Sequence, residues 1–240
     1  MSASVPCPST GGAAPRAGAS GSAAYPVPVL HVISSEEIAA APGFLKHVDR
    51  MLECAGPDVA VHLRLPSLPA ERLFELGRRV ARMAEAGGGW CVVNGRVDVA
   101  LACGAQAAQI GASTLPLGEA IALAAGRVSI GASVHGVREA ARAARAGANY
   151  VLLGTIYASS THPGRRGRGP ALVEACREAL GRLEGCRPSV IAIGGIDRVR
   201  AARLRKAGAD GIAVRGAVWR APDPAEAAGA LLAGFRGDIS

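Results

Sequence analysis

Two glycine-bearing segments, one histidine and one arginine stand where side chains and backbone could do chemistry. Ile191-Ala192-Ile193-Gly194-Gly195-Ile196 and Gly211-Ile212-Ala213-Val214-Arg215-Gly216-Ala217 are apolar runs that end in glycine. If each is a strand feeding a helix, the glycines let backbone N–H groups approach phosphate oxygens closely, and the helix N-terminus favours the anion. Tight strand-to-helix turns are the simpler use of the same residues. Their recurrence at consecutive strand ends favours a phosphate site, with Arg215 either adding charge or pointing to solvent. Ile130-Gly131-Ala132-Ser133-Val134-His135-Gly136 sets His135 just past another strand, where an imidazole can take and give a proton near neutral pH. Helix capping, or packing under a loop, is an equal alternative for it. Arg64 ends a strand and could grip a carboxylate or phosphate, although a solvated rim charge is the commoner use of such a residue. The segment from Gly154 to Gly169 is hydroxyl-rich and basic, with His162 and Arg168 as its ligand candidates. It reads as a loop able to close over an anion, or as a plain surface loop. His31 and His62 lie within strands and His47 on a helix, which ranks them lower.

These residues need elements to hold them. Apolar runs at Val29–Ile33, Val59–Leu63, Cys91–Val93, Ala107–Ile110, Val128–Ile130, Tyr150–Leu153, Val190–Ile193 and Gly211–Val214 give eight candidate strands. Between them, Glu71–Ala86, Val137–Ala146, Ala171–Leu183 and Val199–Lys206 show the 3.6-residue repeat of amphipathic helices. Continuous apolar strands alternating with helices predict an α/β protein with a parallel sheet. Eight units in about 210 residues predict a single (β/α)8 barrel, with an open doubly wound sheet as the alternative. Glycine in Ala146-Gly147-Ala148 and Ala207-Gly208-Ala209 fits a helix C-cap leading into the next strand. In such a fold the strand ending at Asn94 faces the active site, and the next residue, Gly95, offers no side chain for a metal or a proton.

Composition narrows the function. Half of the 240 residues are hydrophobic but only 3% are aromatic, so the core must be built from Ala, Val, Leu and Ile. No apolar stretch reaches membrane-spanning length. The formal charge of +8 comes from scattered arginines with no aromatic-interleaved basic run, which favours an anionic small substrate over nucleic acid. Six cysteines without CxxC spacing read as free thiols in a reducing, cytoplasmic setting. Residues 1–26 form a Ser/Gly/Ala/Pro-rich stretch expected to be a disordered tail without a secretory signal, leaving residues 27–236 as the folded domain.

Taken together, the motifs resemble the thiamine phosphate synthase/TenI family. They are His62-Leu63-Arg64, Asn94-Gly95-Arg96-Val97-Asp98-Val99-Ala100-Leu101, Ser133-Val134-His135, Tyr150-Val151-Leu152-Leu153-Gly154, Ile191 to Ile196 and Gly208 to Val214. The resemblance spans about Val29 to Phe235 and implies a TIM barrel. The family's synthases join an aminopyrimidine pyrophosphate to a thiazole phosphate, using Mg²⁺ held by two aspartates. Gly95 and Thr114 stand at those two positions here, and His162 replaces the family's loop lysine. TenI-type thiazole tautomerases carry Asn-Gly-Arg-Val-Asp and Ser-Val-His, so the resemblance implies a tautomerase, an isomerase of thiamine biosynthesis. It would need no cofactor and would use His135 as the catalytic proton shuttle. Its thiazole phosphate substrate would be bound by Arg64, Asn94, Gly154, His162, Arg168, Gly194, Gly195, Val214, Arg215 and Gly216. Thiamine phosphate synthase, with Mg²⁺, is the alternative, and a non-catalytic binding or regulatory protein the third. No nucleic acid or membrane partner is expected, and assembly into a homo-oligomer stays open.

Overall fold

Eight short strands pair in parallel, each with the next in sequence, and the last closes on the first. They are β1 (Leu30–Ile33), β2 (Val59–Leu63), β3 (Trp90–Asn94), β4 (Ala107–Ile110), β5 (Ser129–Val134), β6 (Tyr150–Gly154), β7 (Ser189–Ile193) and β8 (Gly211–Val214). The helices are α1 (Glu36–Ala40), α2 (Phe44–Ala55), α3 (Ala70–Gly87), α4 (Val97–Cys103) and α5 (Leu117–Ala124), then α6 (Val137–Ala146), α7 (Ala171–Gly181), α8 (Arg198–Lys206), α9 (Gly216–Trp219) and α10 (Pro224–Arg236). This computed structural model describes residues 26–158, 166–185 and 187–238, and its architecture is a single (β/α)8 TIM barrel. Residues 1–25 of the expected disordered tail lie outside the described residues.

Two apolar layers hold the barrel, and strand alternation assigns residues to them. Outward residues such as Leu30, Val61, Val93, Ile130, Val151 and Ile212 are buried under the helices. Inward residues Ile33, Ala60, Trp90, Val92, Ala107, Tyr150, Leu152, Ile191 and Ala213 fill the interior. With so few aromatics in the chain, Trp90 and Tyr150 do much of that filling, packed edge to face at 6.2 Å between ring centroids. Gly131 on β5 makes room for them, because a Cβ there would sit 2.2 Å from the Tyr150 ring. The strand read as Val128–Ile130 therefore runs on to Val134. Gly131 and Ser133 look like turn residues in sequence, yet they pair with Tyr150 and Leu152.

The helix ends follow local chemistry. Asp197 caps α8 by accepting from the Arg200 N–H at 2.8 Å, and Asp223 caps α10 ahead of Pro224. Gly147 and Gly208 take positive φ after α6 and α8, as the two Ala-Gly-Ala turns imply. Trp219 on α9 donates its indole N–H to the Ile33 carbonyl at 3.1 Å, tying the short helix after β8 to the end of β1. Cys54, Cys91, Cys103 and Cys176 are free, and Cys7 and Cys186 lie outside the described residues.

Candidate functional site

The C-terminal ends of the strands open into one cavity of about 1170 Å³. It is lined by Arg64, Asn94, His135, Gly194, Gly195, Val214, Arg215 and Gly216, so eight of the expected site residues converge. Gly154 and Arg168 do not line it. The Gly154 carbonyl instead accepts a hydrogen bond from His135 Nδ1 at 2.8 Å, and the Arg168 guanidinium donates to the His135 carbonyl. Both hold His135 in place. A carbonyl can only accept, so His135 Nδ1 carries a proton. The His135 backbone N–H is capped by Glu139 Oε2 at 2.7 Å. His162 lies outside the described residues.

The β7 and β8 ends meet in a corner rich in glycine and arginine. Gly194 and Gly195 have φ of 112° and 59°, and a Cβ on Gly195 would lie 2.4 Å from the Ala158 carbonyl oxygen. These glycines are thus required first by close packing of the segment after β6, which also donates from Ile156 and Tyr157 to the Ile193 and Gly194 carbonyls. As the first residues of α9, Gly216 and Ala217 carry N–H groups without an intrahelical acceptor. Arg200, Arg215 and Arg220 surround this corner. Arg200 is fixed by three contacts: its Nη1 donates to the Gly195 carbonyl at 2.6 Å, it pairs with Asp197, and it lies over the Tyr157 ring.

The opposite side of the mouth is polar in a way the linear sequence hides. His31 and His62 both point into the barrel and are fully buried. His31 Nε2 meets the Pro28 carbonyl at 3.0 Å, His31 Nδ1 meets His62 Nε2 at 2.8 Å, and His62 Nδ1 meets the Asn94 amide at 3.1 Å. Burial pulls the His62 pKa down to about 4 against the opposing pull of Asn94, and it pulls His31 well below the usual imidazole range, with His62 adding to the effect. Gln109 Nε2 donates to Ser133 Oγ at 3.0 Å on the next two strands. His62, Gln109 and Ser133 were not among the expected site residues. The signal was period-two spacing, since His62 lies two residues before Arg64 and shares its side of β2.

Gly95 and Thr114, which stand at the family's aspartate positions, meet across the β3 and β4 ends. A Cβ on Gly95 would lie 3.1 Å from Thr114 Cγ2, so the two positions converge as a pair of ligands would. What they present is a bare backbone and a methyl group. Thr114 Oγ1 is spent locally, donating to the Gly111 carbonyl at 2.7 Å and accepting from the Gly111 N–H at 3.1 Å. Among the described residues no group of three His, Cys, Asp or Glu could hold a metal ion. Mg²⁺ wants carboxylate oxygen in octahedral array, and the protein residues here do not fit it.

Sequence comparison bears on which reaction belongs to this cavity. A thiamine-phosphate synthase from Gloeobacter violaceus is 38% identical over 183 residues, covering 76% of this chain and 51% of that protein. One from Salinispora arenicola is 33% identical over 204 residues, covering 85% of this chain and 95% of that protein. The solved thiamine phosphate pyrophosphorylase from Pyrococcus furiosus superposes with a TM-score of 0.73 at 27% identity, covering 88% of this chain and 97% of that one. These relatives are named as synthases, which overturns the expected tautomerase and its isomerase class. The physical reason is that Gly95 reports a ligand that is missing, and a missing ligand does not specify another reaction. The family described as thiamine monophosphate synthase matches residues 30–218, and the chain belongs to that family.

Proposed function

We propose that this chain is a transferase that couples hydroxymethylpyrimidine pyrophosphate to thiazole phosphate and releases pyrophosphate. The observation that carries the reading is the cavity of about 1170 Å³ lined by five arginines, in a chain whose relatives bear the synthase name. Pockets for one small ligand run to roughly 300–1,000 Å³. This one has room for two substrates side by side, one at the β7/β8 corner and one toward β2 to β4.

In this reading the thiazole phosphate sits with its phosphate against the N–H groups of Gly195 and Gly216 and the Arg215 guanidinium. The pyrimidine lies over Asn94, Gln109 and Ser133, whose amide and hydroxyl groups match its ring nitrogens and amine. A lone pair of the thiazole forms the new bond to the carbon that carries the diphosphate, and the C–O bond to the diphosphate breaks with its electrons staying on oxygen. Holding both reactants in one cavity makes the displacement effectively intramolecular. His135 accepts a hydrogen bond at Nε2 from bound substrate while its Nδ1–H stays on Gly154. The substrates are free small molecules, and we place the reaction in the cytoplasm.

The test is to mix the full chain with both substrates and follow pyrophosphate and thiamine phosphate together. Matched formation of the two supports the reading. Absence of both, with and without added Mg²⁺, overturns it.

A further inference from the structure

We propose that the diphosphate of the substrate is held by guanidinium groups in place of a divalent cation, with Arg64 as the principal ligand. The inference rests on the coupling reading above. It starts from the disagreement at β3 and β4, where Gly95 and Thr114 come together but offer a bare backbone and a methyl group. The negative charge of a diphosphate must then be met by the protein itself.

The charges around the cavity are arranged to do so. Arg64, Arg96, Arg200, Arg215 and Arg220 line it, and Asp197 is the acidic side chain among the lining residues. Asp197 is already engaged as the α8 cap and by Arg200. Arg96 is held in a bidentate pair with Asp98, at 2.9 and 2.6 Å. The side chains of Arg64 and Arg215 make no hydrogen bond or ion pair among the described residues. Arg64 follows β2 and Arg215 follows β8, the two strands that flank β1. Arg215 lies at the corner assigned to the monophosphate. Arg64 follows β2, the strand paired with β3 whose end carries Gly95, and lines the same cavity as Gly95 and Thr114, where the departing diphosphate would lie.

Guanidinium suits this task. Its planar fork donates two parallel N–H bonds to a phosphate and keeps its charge at any physiological pH. As the C–O bond breaks, negative charge grows on the diphosphate, and a cation already in place stabilises it without reorganising. A carboxylate at either position 95 or 114 would repel the same diphosphate unless a cation intervened. Glycine and threonine therefore belong with a cation-free site.

Binding of inorganic pyrophosphate to the full chain by calorimetry tests this. The wild type should bind in EDTA, and added Mg²⁺ should leave binding equal or weaker, because Mg²⁺ in solution competes for the ligand. Arg64→Gln, at an exposed side chain, should weaken binding about tenfold or more in EDTA. Thr114→Asp should weaken it in EDTA and recover on addition of Mg²⁺. Binding that appears only with Mg²⁺, or an Arg64→Gln affinity equal to wild type, overturns the proposal. The two readings can fail separately. Metal-free pyrophosphate binding without coupling removes the proposed function and leaves this site standing. Coupling that requires Mg²⁺ does the reverse.

Discussion

His31 Nδ1 and His62 Nε2 lie 2.8 Å apart inside the barrel, and that contact fixes the proton positions of the whole buried chain. His31 Nε2 faces a carbonyl and must donate, so His31 Nδ1 accepts from His62 Nε2–H and His62 Nδ1 is left as an acceptor. Asn94 Oδ1 faces that nitrogen at 3.1 Å. Both imidazoles are neutral because burial opposes the charged form. The neutral chain closes with a half-turn of the Asn94 amide, which brings its NH₂ to His62 and turns its carbonyl to the cavity. A proton added to the pair favours the opposite orientation. The interior histidines thus set which hydrogen-bonding atom Asn94 shows to a substrate.

Proton placement is measurable by long-range ¹H–¹⁵N spectra at neutral pH. His31 and His62 should both show the Nε2–H tautomer, and His135 the Nδ1–H tautomer because of Gly154. A His62 signal from the Nδ1–H form would contradict the chain.

Stability should depend on pH through the same pair. The His62 pKa is lowered to about 4 in the folded protein from an ordinary 6.5, so the unfolded state binds more protons between those values. Stability is full above pH 6.5, falls as pH drops toward 4, and stops falling from this source below that. The loss from His62 is on the order of 3 kcal/mol, and His31 acts in the same direction. Urea midpoints across pH 7.5 to 4 measure it; a flat profile would rule out buried neutral imidazoles.

Packing around Tyr150 makes a paired prediction. Gly131→Ala places a methyl 2.2 Å from the ring and should destabilise the barrel by about 3 kcal/mol or more. Tyr150→Phe removes a buried hydroxyl that has no hydrogen-bond partner among the described residues, and should raise stability by about 1 kcal/mol. Thermal melts of both variants report the two signs.

Arg215→Gln should raise KM for the thiazole phosphate about tenfold in the coupling assay, with kcat changed less, because a phosphate held away from the reacting carbon contributes mainly to binding. His135→Gln, which keeps a donor for Gly154, should retain more activity than His135→Ala. Equal losses in those two would deny the Gly154 contact a positioning role.

The strand and helix order was legible in the sequence because apolar runs and helical repeats are local properties of the chain. Val59–Leu63, Ala107–Ile110, Gly211–Val214 and Val137–Ala146 match their observed bounds. Turn chemistry was equally local, as Gly95 with φ of 81° after Asn94 illustrates. Facing was not legible. Whether His62 points inward, whether Gly154 meets a ligand or His135, and whether Thr114 reaches Gly95 depend on strand register and on closure of the barrel. Those contacts join residues from different strands, and a one-residue change of register would reverse every side chain. The sequence by itself determined which elements form and that the two carboxylates are missing. The tertiary structure alone decided that the two ligand positions touch, and that Arg64 and Arg215, whose side chains have no partner among the described residues, line the same cavity.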